Sequence, residues 1–256
     1  MLDLHTHIIP GVDDGSKNMD ETIEILKNAK LAGYSGVVAT PHYIEGSYST
    51  NNSDKMKYIK DIKTELKLQN IDLEIYTGNE VFITDTIENL LYYAKISSIN
   101  NSKYILIELP MAGGSNGLQS CIFKVFSLGY IPIIAHPERY SFVQKDPNKL
   151  LDYIDQGVLF QLNSGSLFGH YGKTAEKTAR ILIKHNMVQF VATDTHSGKS
   201  SSYSQISDVC KLISKLTYVE NVDILMNKNP NDVINNKKII ANEPIKYKKG
   251  LFQFFK

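Results

Sequence analysis

Histidine and carboxylate side chains recur in short motifs along this chain, and the first motif is His5-Thr6-His7. The two imidazoles close a short apolar run two positions apart, so on a β-strand both point to the same side. Two carboxylates, Asp13 and Asp14, follow a few residues later. Because imidazole and carboxylate ligands together suit Zn, Mn or Fe, this segment predicts one corner of a metal site.

Further residues of ligand type stand at or just past the ends of other apolar runs. Glu108 and Asp194 are the strongest indications of a metal site, because a carboxylate at a buried strand end is costly unless it is paired or bound to metal. His136 alone has a structural alternative as a turn residue, yet the joint pattern favours metal binding. The full set is His5, His7, His42, Glu80, Glu108, His136, Asn163, Asp194 and His196. One ion does not need so many ligands, which predicts a cluster of two or three metals with a bridging carboxylate such as Glu80.

Short β-rich runs alternate with amphipathic, helix-patterned segments along the whole chain. Several runs are almost continuously apolar, as expected for parallel strands that are buried on both faces. The predicted strands are Met1–His5, Val37–Thr40, Leu73–Thr77, Tyr104–Leu109, Ile131–Ala135, Val158–Leu162 and Val188–Thr193, and the predicted helices are Met19–Ala32, Lys55–Leu68, Thr84–Tyr93, Leu118–Leu128, Pro147–Asp155, Thr174–His185 and Gln205–Leu216. Repeated strand–helix units predict an α/β fold with a parallel sheet, and a barrel of about 250 residues places all strand ends on one rim.

Composition excludes several classes of function. The chain has 28 Lys and Arg residues against 27 Asp and Glu residues, so it lacks the basic footprint typical of nucleic-acid binders. No apolar run has the length of a transmembrane helix, and the start of the chain lacks the basic and apolar regions of a secretory signal. The cysteines, Cys121 and Cys210, indicate no disulfide framework and are expected to be small buried thiols. We therefore expect a cytoplasmic protein.

The C-terminal segment, residues 246–256, differs from the rest because it mixes lysines with large aromatic side chains. Two interpretations stay open. The aromatics pack on the body of the protein, or they make a weak contact with a partner or a membrane surface, where lysines meet anionic lipid. The chain contains no linker long enough to divide it, so residues 1–256 are expected to form a single domain that ends in this tail.

The motifs together resemble those of a known family. Residues 5–15, HTHIIPGVDDG, resemble the opening motif of the PHP (polymerase and histidinol phosphatase) superfamily, and more narrowly that of the CpsB/YwqE-type bacterial tyrosine-protein phosphatases of capsule and exopolysaccharide operons. Four later motifs, at residues 39–43, 78–80, 136–140 and 193–196, fit in order and spacing. The resemblance covers nearly the whole chain. It implies a distorted (β/α)7 TIM-like barrel with the active site at the carboxyl ends of the strands, in agreement with the seven strands predicted above.

The resemblance also implies a trinuclear site, with three Mn²⁺ ions as the first expectation and Fe or Zn as alternatives. By position, His5, His7, Glu80 and Asp194 hold the first metal, Glu80, Glu108 and His136 hold the second, and Asp14, His42 and His196 hold the third. Arg139 matches the phosphate-binding arginine of the family. Relatives often carry a second arginine shortly after the Asp-x-His motif, where this chain has Lys199, which supplies a charge but no bidentate fork. His170 is either a loop residue or a substrate contact.

The activity implied by the resemblance is hydrolysis of protein phosphotyrosine. The expected substrate is the tail of a membrane-associated bacterial tyrosine kinase that controls polysaccharide synthesis, which would bring the protein to the inner face of the membrane. The implied catalytic group is Arg139, Asp194, His196 and His42, with the acid that assists the leaving group left open. Two alternatives remain: a small-molecule phosphoesterase of the same fold, acting on histidinol phosphate or a nucleotide, and a non-catalytic regulator that binds the kinase. The oligomeric state stays open.

Cysteine-dependent phosphatase chemistry is excluded by the spacing around both cysteines. That chemistry needs an arginine six residues after the nucleophilic cysteine. Ser127 stands at that distance from Cys121, and Leu216 stands at that distance from Cys210. Neither thiol therefore has the required partner.

Overall fold

Parallel β-strands form the centre of the protein. A computed structural model describes residues 1–114, 117–200 and 202–249, and these residues contain nine strands. The strands are β1 (Leu2–Thr6), β2 (Gly36–Ala39), β3 (His42–Tyr43), β4 (Glu74–Thr77), β5 (Glu80–Phe82), β6 (Tyr104–Glu108), β7 (Ile131–Ala135), β8 (Leu159–Asn163) and β9 (Phe190–Ala192). They hydrogen-bond in two groups, β1-β2-β4 and β3-β5-β6-β7-β8-β9.

The nine segments occupy seven positions around a barrel, because two long strands are interrupted near the site. Pro41, which has no N–H to donate, separates β2 from β3, and Gly78 and Asn79 separate β4 from β5. The chains stay paired across both interruptions: Gly78 N donates to Ala39 O at 2.9 Å, and Glu80 N donates to Pro41 O at 3.1 Å. The predicted TIM-like barrel of seven strand positions is thus confirmed. The two interruptions are not part of the prediction.

The barrel closes between its first and last strands. Asp194 N donates to His5 O at 2.9 Å, and His7 N donates to Thr195 O at 3.0 Å. Thr6 also forms a parallel bridge with Thr195. The closure joins the N-terminal histidine motif directly to the Asp-x-His motif near residue 195, so residues from opposite ends of the chain become neighbours.

Helices follow most of the strands and cover the outside of the barrel. They are α1 (Met19–Leu31), α2 (Asn52–Leu68), α3 (Ile87–Tyr92), α4 (Leu118–Ser127), α5 (Ser141–Lys145), α6 (Leu151–Asp155), α7 (Lys173–Lys184), α8 (Ile206–Leu216), α9 (Glu220–Asp223) and α10 (Asn229–Ile234). The side chains of Asn18 and Asn51 cap α1 and α2 by accepting hydrogen bonds from Glu21 N and Asp54 N. Such caps satisfy backbone donors that have no partner inside the helix and so fix where each helix begins.

Two apolar layers pack on the two faces of the strands. In β6, Ile105 and Ile107 pack with the outer helices, whereas Tyr104 and Leu106 belong to the cluster inside the barrel. Glu108 continues the inward-facing series, because side chains alternate along a strand. The inward row therefore changes from apolar to acidic at the end of the strand, and the site lies at that level.

The last residues that the structure describes run beside α7. Ile245 N donates to His185 O at 2.8 Å, and Tyr247 N donates to Asn148 Oδ1 at 2.8 Å. The Tyr247 ring meets the His185 ring edge-on at 5.4 Å. Tyr247 thus packs on the body, as one interpretation of the tail predicted. Residues 250–256, which include the phenylalanines of the tail, lie outside the described residues. Among the described residues, the helices are too short or too polar to cross a membrane.

Candidate active site

The predicted metal ligands converge at the carboxyl ends of the strands. They are His5 in β1, His7 and Asp14 in the loop after β1, His42 in β3, Glu80 in β5, Glu108 at the end of β6, His136 after β7, and Asp194 and His196 after β9. Most of these side chains are buried, whereas the side chain of Asp14 is 54% exposed. The group therefore forms a buried cluster that opens toward solvent at Asp14.

The first group of donor atoms surrounds His5 and His7. Their Nε2 atoms are 3.1 Å apart. Glu80 Oε2 lies 3.2 Å from His5 Nε2 and 3.3 Å from His7 Nε2, and Asp194 Oδ1 lies 3.3 Å from both nitrogens. These four residues are the predicted first-metal set, and the structure brings them together.

Glu80 links this group to a second one. Its Oε1 lies 3.0 Å from His136 Nε2, which is 3.6 Å from Glu108 Oε1. His42 approaches the same carboxylates through Nδ1, at 3.0 Å from Glu80 Oε2 and 3.7 Å from Glu108 Oε2. The structure therefore brings the predicted second-metal set together and adds His42 to its edge.

The third group lies at the open end of the cluster. Asp14 Oδ1 is 3.6 Å from His42 Nε2 and 3.5 Å from His196 Nε2. The His196 ring stacks on the ring of His7 at a centroid distance of 3.9 Å. Donor atoms of four residues lie close enough together to bind one metal ion: His7, Asp14, His42 and His196. His7 therefore borders the third set as well as the first.

Several buried donor atoms in these groups approach one another without forming hydrogen bonds. Glu80 Oε2, Asp194 Oδ1 and His42 Nδ1 are buried and have no hydrogen-bond partner. Buried polar atoms are normally paired within the protein, and lone pairs that converge instead on a shared point fit a bound cation. The donor set, imidazole and carboxylate without cysteine, suits Mn, Fe or Zn.

A second layer of residues holds the histidines in orientation. Asp13 Oδ2 accepts from His7 Nδ1 at 2.7 Å, and Gln161 Oε1 lies 2.8 Å from His5 Nδ1. Hydrogen bonds of this kind fix the tautomer of a ligand histidine and aim its other nitrogen. Asp13 was predicted as part of the metal-site segment, and the structure makes it a hydrogen-bond partner of a ligand histidine. Its Oδ1 also accepts from Gly15 N at 3.0 Å.

Asp194 has its own support. Asn163 Nδ2 donates to Asp194 Oδ2 at 2.6 Å, and Gln161 Nε2 donates to Asn163 Oδ1 at 2.9 Å. The two amides stand on β8 and connect the carboxylate to His5 through Gln161. Asn163 was expected at this rim as a candidate ligand, and the structure makes it a hydrogen-bond donor to one.

The charges in the cluster influence each other strongly. Burial disfavours the imidazolium of His5, but Glu80 and Asp194 outweigh it and raise the pKa of His5 to about 9. Burial and the charge of Glu80 raise the pKa of Glu108 to about 7. Burial also opposes ionisation of Asp194, yet His5 and the neighbouring histidines hold its pKa well below the usual value. Several carboxylates confined in one buried cluster create an electrostatic field that favours a cation.

The backbone at the strand ends adopts unusual conformations. His136 and Asp194 have φ values of 33° and 53°, in the left-handed region that non-glycine residues rarely occupy. The pairing of β1 with β2 also changes register between Asp3 and Thr6, just where His5 stands. Such irregularities redirect side chains at the end of a strand. Gly15 is required for a different reason, because a Cβ there would lie 2.3 Å from His7 O.

Arg139 brings a positive charge to the edge of the cluster. One of its terminal nitrogens, Nη1, lies 3.4 Å from Asp194 Oδ2, and its side chain is 24% exposed. The guanidinium lies over the ring of Tyr171 at 4.4 Å from the ring centroid. The arginine is therefore held between the cluster and solvent, where it can meet an incoming anion. Tyr171 was not predicted as a site residue.

The two remaining predicted substrate contacts lie on the periphery. Lys199 is exposed in the turn after His196, and its backbone N donates to Ser197 Oγ at 3.3 Å. His170 is also exposed, and its Nδ1 would lie 2.6 Å from a Cβ at position 165, so the ring requires glycine at Gly165. The predicted role of either residue in binding substrate stays a prediction.

A closed parallel barrel with a rim of histidines and carboxylates defines the TIM-like class of metallohydrolase folds. Within that class the chain belongs to the CpsB/CapC family of capsular polysaccharide synthesis, which matches residues 1–235. This confirms the family that the motifs resembled.

Individual relatives agree with this assignment. The tyrosine-protein phosphatase YwqE of Bacillus subtilis is 30% identical over 257 residues, covering 100% of both chains. The CapC protein of Staphylococcus aureus is 36% identical over 198 residues, or 77% of each chain. The fold matches a chain from crystal structures of YwqE and of Streptococcus pneumoniae CpsB, described as metal-dependent tyrosine phosphatases, with a TM-score of 0.91, 29% identity and coverage of 97% of this chain and 100% of the other.

A more distant structure shares the fold alone. Histidinol phosphate phosphatase from Lactococcus lactis superposes with a TM-score of 0.56 at 15% identity, covering 84% of this chain and 94% of that chain. The barrel is thus common to phosphatases named for different substrates.

Proposed function

We propose that this protein is a metal-dependent phosphatase that hydrolyses phosphotyrosine in proteins. The observation that carries the proposal is the position of Arg139, a partly exposed cation 3.4 Å from the buried carboxylate of Asp194 at the open side of the His and carboxylate cluster. A phosphate monoester is bound well by metal cations together with an arginine fork, and this arrangement would supply both once metals occupy the cluster. The names of the relatives YwqE and CpsB support the choice of phosphotyrosine.

We propose three Mn²⁺ ions as the resident metals, with Fe or Zn as alternatives. Their ligands would be the three sets predicted from the sequence, with Glu80 shared by the first two sets and His7 close to the third. When bound, such cations lower the pKa of water and so supply a nucleophile near neutral pH. The exposed carboxylate of Asp14 makes the third set the most accessible from solvent.

The side chains around the metals would bind and orient the substrate. Arg139 would hold the phosphoryl oxygens and stabilise the charge that develops on them. Tyr171 would keep the guanidinium in place from the solvent side. Asp194 stays ionised beside Arg139, whereas His42 and His196 border the open end of the cluster. The departing tyrosyl oxygen, whose pKa is near 10, is a fair leaving group.

The proposed substrate in the cell is a tyrosine-phosphorylated protein of polysaccharide synthesis, namely the tail of a membrane-associated tyrosine kinase. Membership of the capsular polysaccharide family supports this part of the proposal. The protein would then act in the cytoplasm, at the inner face of the membrane, through binding to that tail.

A substrate panel tests the proposal. The metal-free protein, reconstituted with Mn²⁺, is assayed with a phosphotyrosine peptide, a phosphoserine peptide, histidinol phosphate and a nucleotide. We expect a clear preference for the phosphotyrosine peptide and loss of turnover on chelation. Preference for a small molecule would contradict the proposal in favour of a small-molecule phosphoesterase. Metal binding without turnover of any substrate would favour a non-catalytic regulator.

A further inference from the structure

A lysine-rich groove lies beside the candidate active site. One part is a cavity of about 580 Å³ between the residues after α5 and helix α7, and the other is a cavity of about 590 Å³ along the same helix. Because Tyr247 and Ile181 line both cavities, we treat the two cavities as one groove, called the α7 groove. The lysines that line it are Lys145, Lys173, Lys177, Lys184, Lys248 and Lys249.

The acidic residues of the α7 groove are engaged with other partners. The Asp146 carboxylate accepts from Asn148 N at 3.1 Å and caps the short helical turn that follows. Glu176 pairs with Arg180, with Oε1 and Nη2 2.8 Å apart. The groove therefore carries a surplus of positive charge, although the whole chain has almost equal numbers of acidic and basic residues.

The α7 groove shares its wall with the loop that presents Arg139. Gln144 lines the groove, and its Nε2 donates to Glu138 O at 2.9 Å and to Arg139 O at 3.4 Å. At the other wall, Lys173 lies two residues after Tyr171. The ring of Tyr171 lies under the Arg139 guanidinium. The segment that carries Arg139 therefore borders the groove on one side and the proposed phosphate site on the other.

The lining of the α7 groove favours an extended peptide as its occupant. Its lysines are exposed, and the partly buried Ile181 and Tyr247 lie among them, which suits a chain with both acidic side chains and aliphatic stems. An extended chain advances about 3.3 Å per residue, so a substrate with its phosphotyrosine at Arg139 places its next few residues along this wall.

We propose that the α7 groove binds acidic residues that flank the phosphotyrosine, so that the protein selects phosphotyrosine within acidic sequences. This inference rests on the proposed phosphatase function and specifies its substrate class. The long-range attraction of a lysine-lined cleft raises association rates of oppositely charged ligands by about tenfold or more at low salt. Screening at high salt shortens this attraction to a few ångströms.

The test compares four substrates at low salt. They are p-nitrophenyl phosphate, a phosphotyrosine peptide with neutral flanks, and two versions of that peptide, one with glutamates on the N-terminal side of the phosphotyrosine and one with glutamates on its C-terminal side. For the wild type we expect a kcat/KM about tenfold higher for one glutamate peptide than for the neutral peptide. In the double variant Lys173→Gln/Lys177→Gln, the ratio of kcat/KM for the glutamate peptide to kcat/KM for the neutral peptide falls to near one. Turnover of p-nitrophenyl phosphate is unchanged in this variant. Added salt reduces the wild-type preference in the same way.

A matched control double variant is Lys63→Gln/Lys67→Gln, which removes two exposed lysines at the same spacing on α2. It should keep the wild-type preference. The inference is overturned if the wild type shows no preference, if the control loses it equally, or if Lys173→Gln/Lys177→Gln keeps it. If the wild type hydrolyses none of the four substrates, the result would instead contradict the proposed function.

The same variants separate a peptide site from a membrane site. Co-sedimentation is measured with vesicles of phosphatidylserine and phosphatidylcholine. If Lys173→Gln/Lys177→Gln loses vesicle binding but keeps the wild-type peptide preference, the groove faces lipid and the inference is overturned. Loss of peptide preference with unchanged sedimentation supports it.

Discussion

The Asp13 carboxylate accepts a hydrogen bond from His7 Nδ1 at 2.7 Å, so His7 Nε2 is turned toward the other predicted ligands. The same carboxylate accepts from His42 N at 3.0 Å and therefore also positions the strand that carries His42. The imidazole of His7 holds the pKa of Asp13 at about 2, against the opposing effect of burial. One carboxylate thus orients residues of two proposed metal sets without being a ligand itself.

Replacing Asp13 by asparagine should weaken metal binding. We expect the affinity of the metal-free protein for Mn²⁺ to fall by about 10–100-fold, because outer residues that orient ligand histidines typically have effects of this size. Titration calorimetry measures the change directly. The exposed Asp20→Asn variant, in the first turn of α1, is the control and should bind as the wild type does. Equal affinity in Asp13→Asn would show that His7 is oriented by the barrel alone.

Arg139 and Tyr171 should differ in their effects on turnover. Arg139→Ala is expected to lower kcat/KM for a phosphotyrosine peptide by about 10²–10³-fold, the usual effect of removing one preorganised charge-stabilising donor. Tyr171→Ala should cause a smaller loss, and Tyr171→Phe should restore most of it, because the stacked ring and not the hydroxyl contacts the guanidinium. Circular dichroism confirms that each variant is folded. A wild-type rate in Arg139→Ala would remove this arginine from the mechanism.

The cysteines should be dispensable for turnover. Cys121 is buried among apolar residues, and burial raises the pKa of its thiol to about 11. A thiol with such a pKa is a poor nucleophile at neutral pH. Cys121→Ser and Cys210→Ser are expected to keep kcat close to the wild-type value at a temperature where both are folded. A large loss in either variant, with metal content unchanged, would point to thiol chemistry.

Lys55 should make the stability of the metal-free protein depend on pH. Its ammonium is almost fully buried and donates to Gly78 O at 2.8 Å, to Asn79 Oδ1 at 2.5 Å and to Ser97 Oγ at 2.6 Å. Burial lowers the pKa of Lys55 to about 7, while the three acceptors match its protonated form. The unfolded chain, with an ordinary lysine, binds more protons than the folded chain between about pH 7 and pH 10.5.

The free energy of unfolding of the wild type should therefore rise with pH across that window, relative to the variant Lys55→Met. Urea denaturation at several pH values measures the difference. Lys57→Met, at an exposed lysine two residues along the same helix, should parallel the wild type. A difference between wild type and Lys55→Met that is independent of pH would show that the pKa of Lys55 is not lowered.

The barrel and its rim were predictable because both depend on local patterns. Apolar runs that end in His, Glu or Asp predict strands whose inward-facing side chains change from apolar to polar at the end of the strand. Glu108 at the end of β6 is an example. The interruptions at Pro41 and Gly78 were less visible, since the chain continues in the same direction after each of them. Residues 220–234 lie outside the predicted helices, and the structure contains α9 and α10 there, joined by a π-helical segment over Ile224–Lys228.

The supporting residues were harder to predict because their roles depend on contacts between distant segments. Gln161 stands inside an apolar strand and carries no motif of its own, whereas Asn163 is predictable at the rim from its position at the end of that strand. Lys55 left one signal: it falls on the same helical face as Ile59, Ile62 and Leu66, where a lysine is unexpected. Its three acceptors follow it in the sequence by 23 or more residues, so only the assembled fold identifies them.

The left-handed backbone at His136 and Asp194 has a consequence for how this protein evolves. Each such residue costs about 1–2 kcal/mol relative to an ordinary conformation, and glycine would remove that cost. Glycine at position 194 would also remove the carboxylate that Arg139 and Asn163 contact. Relaxing the backbone at either position would therefore give up a proposed metal ligand. Strain and proposed ligands thus occur at the same two residues, which is the pattern of a trade-off between stability and activity.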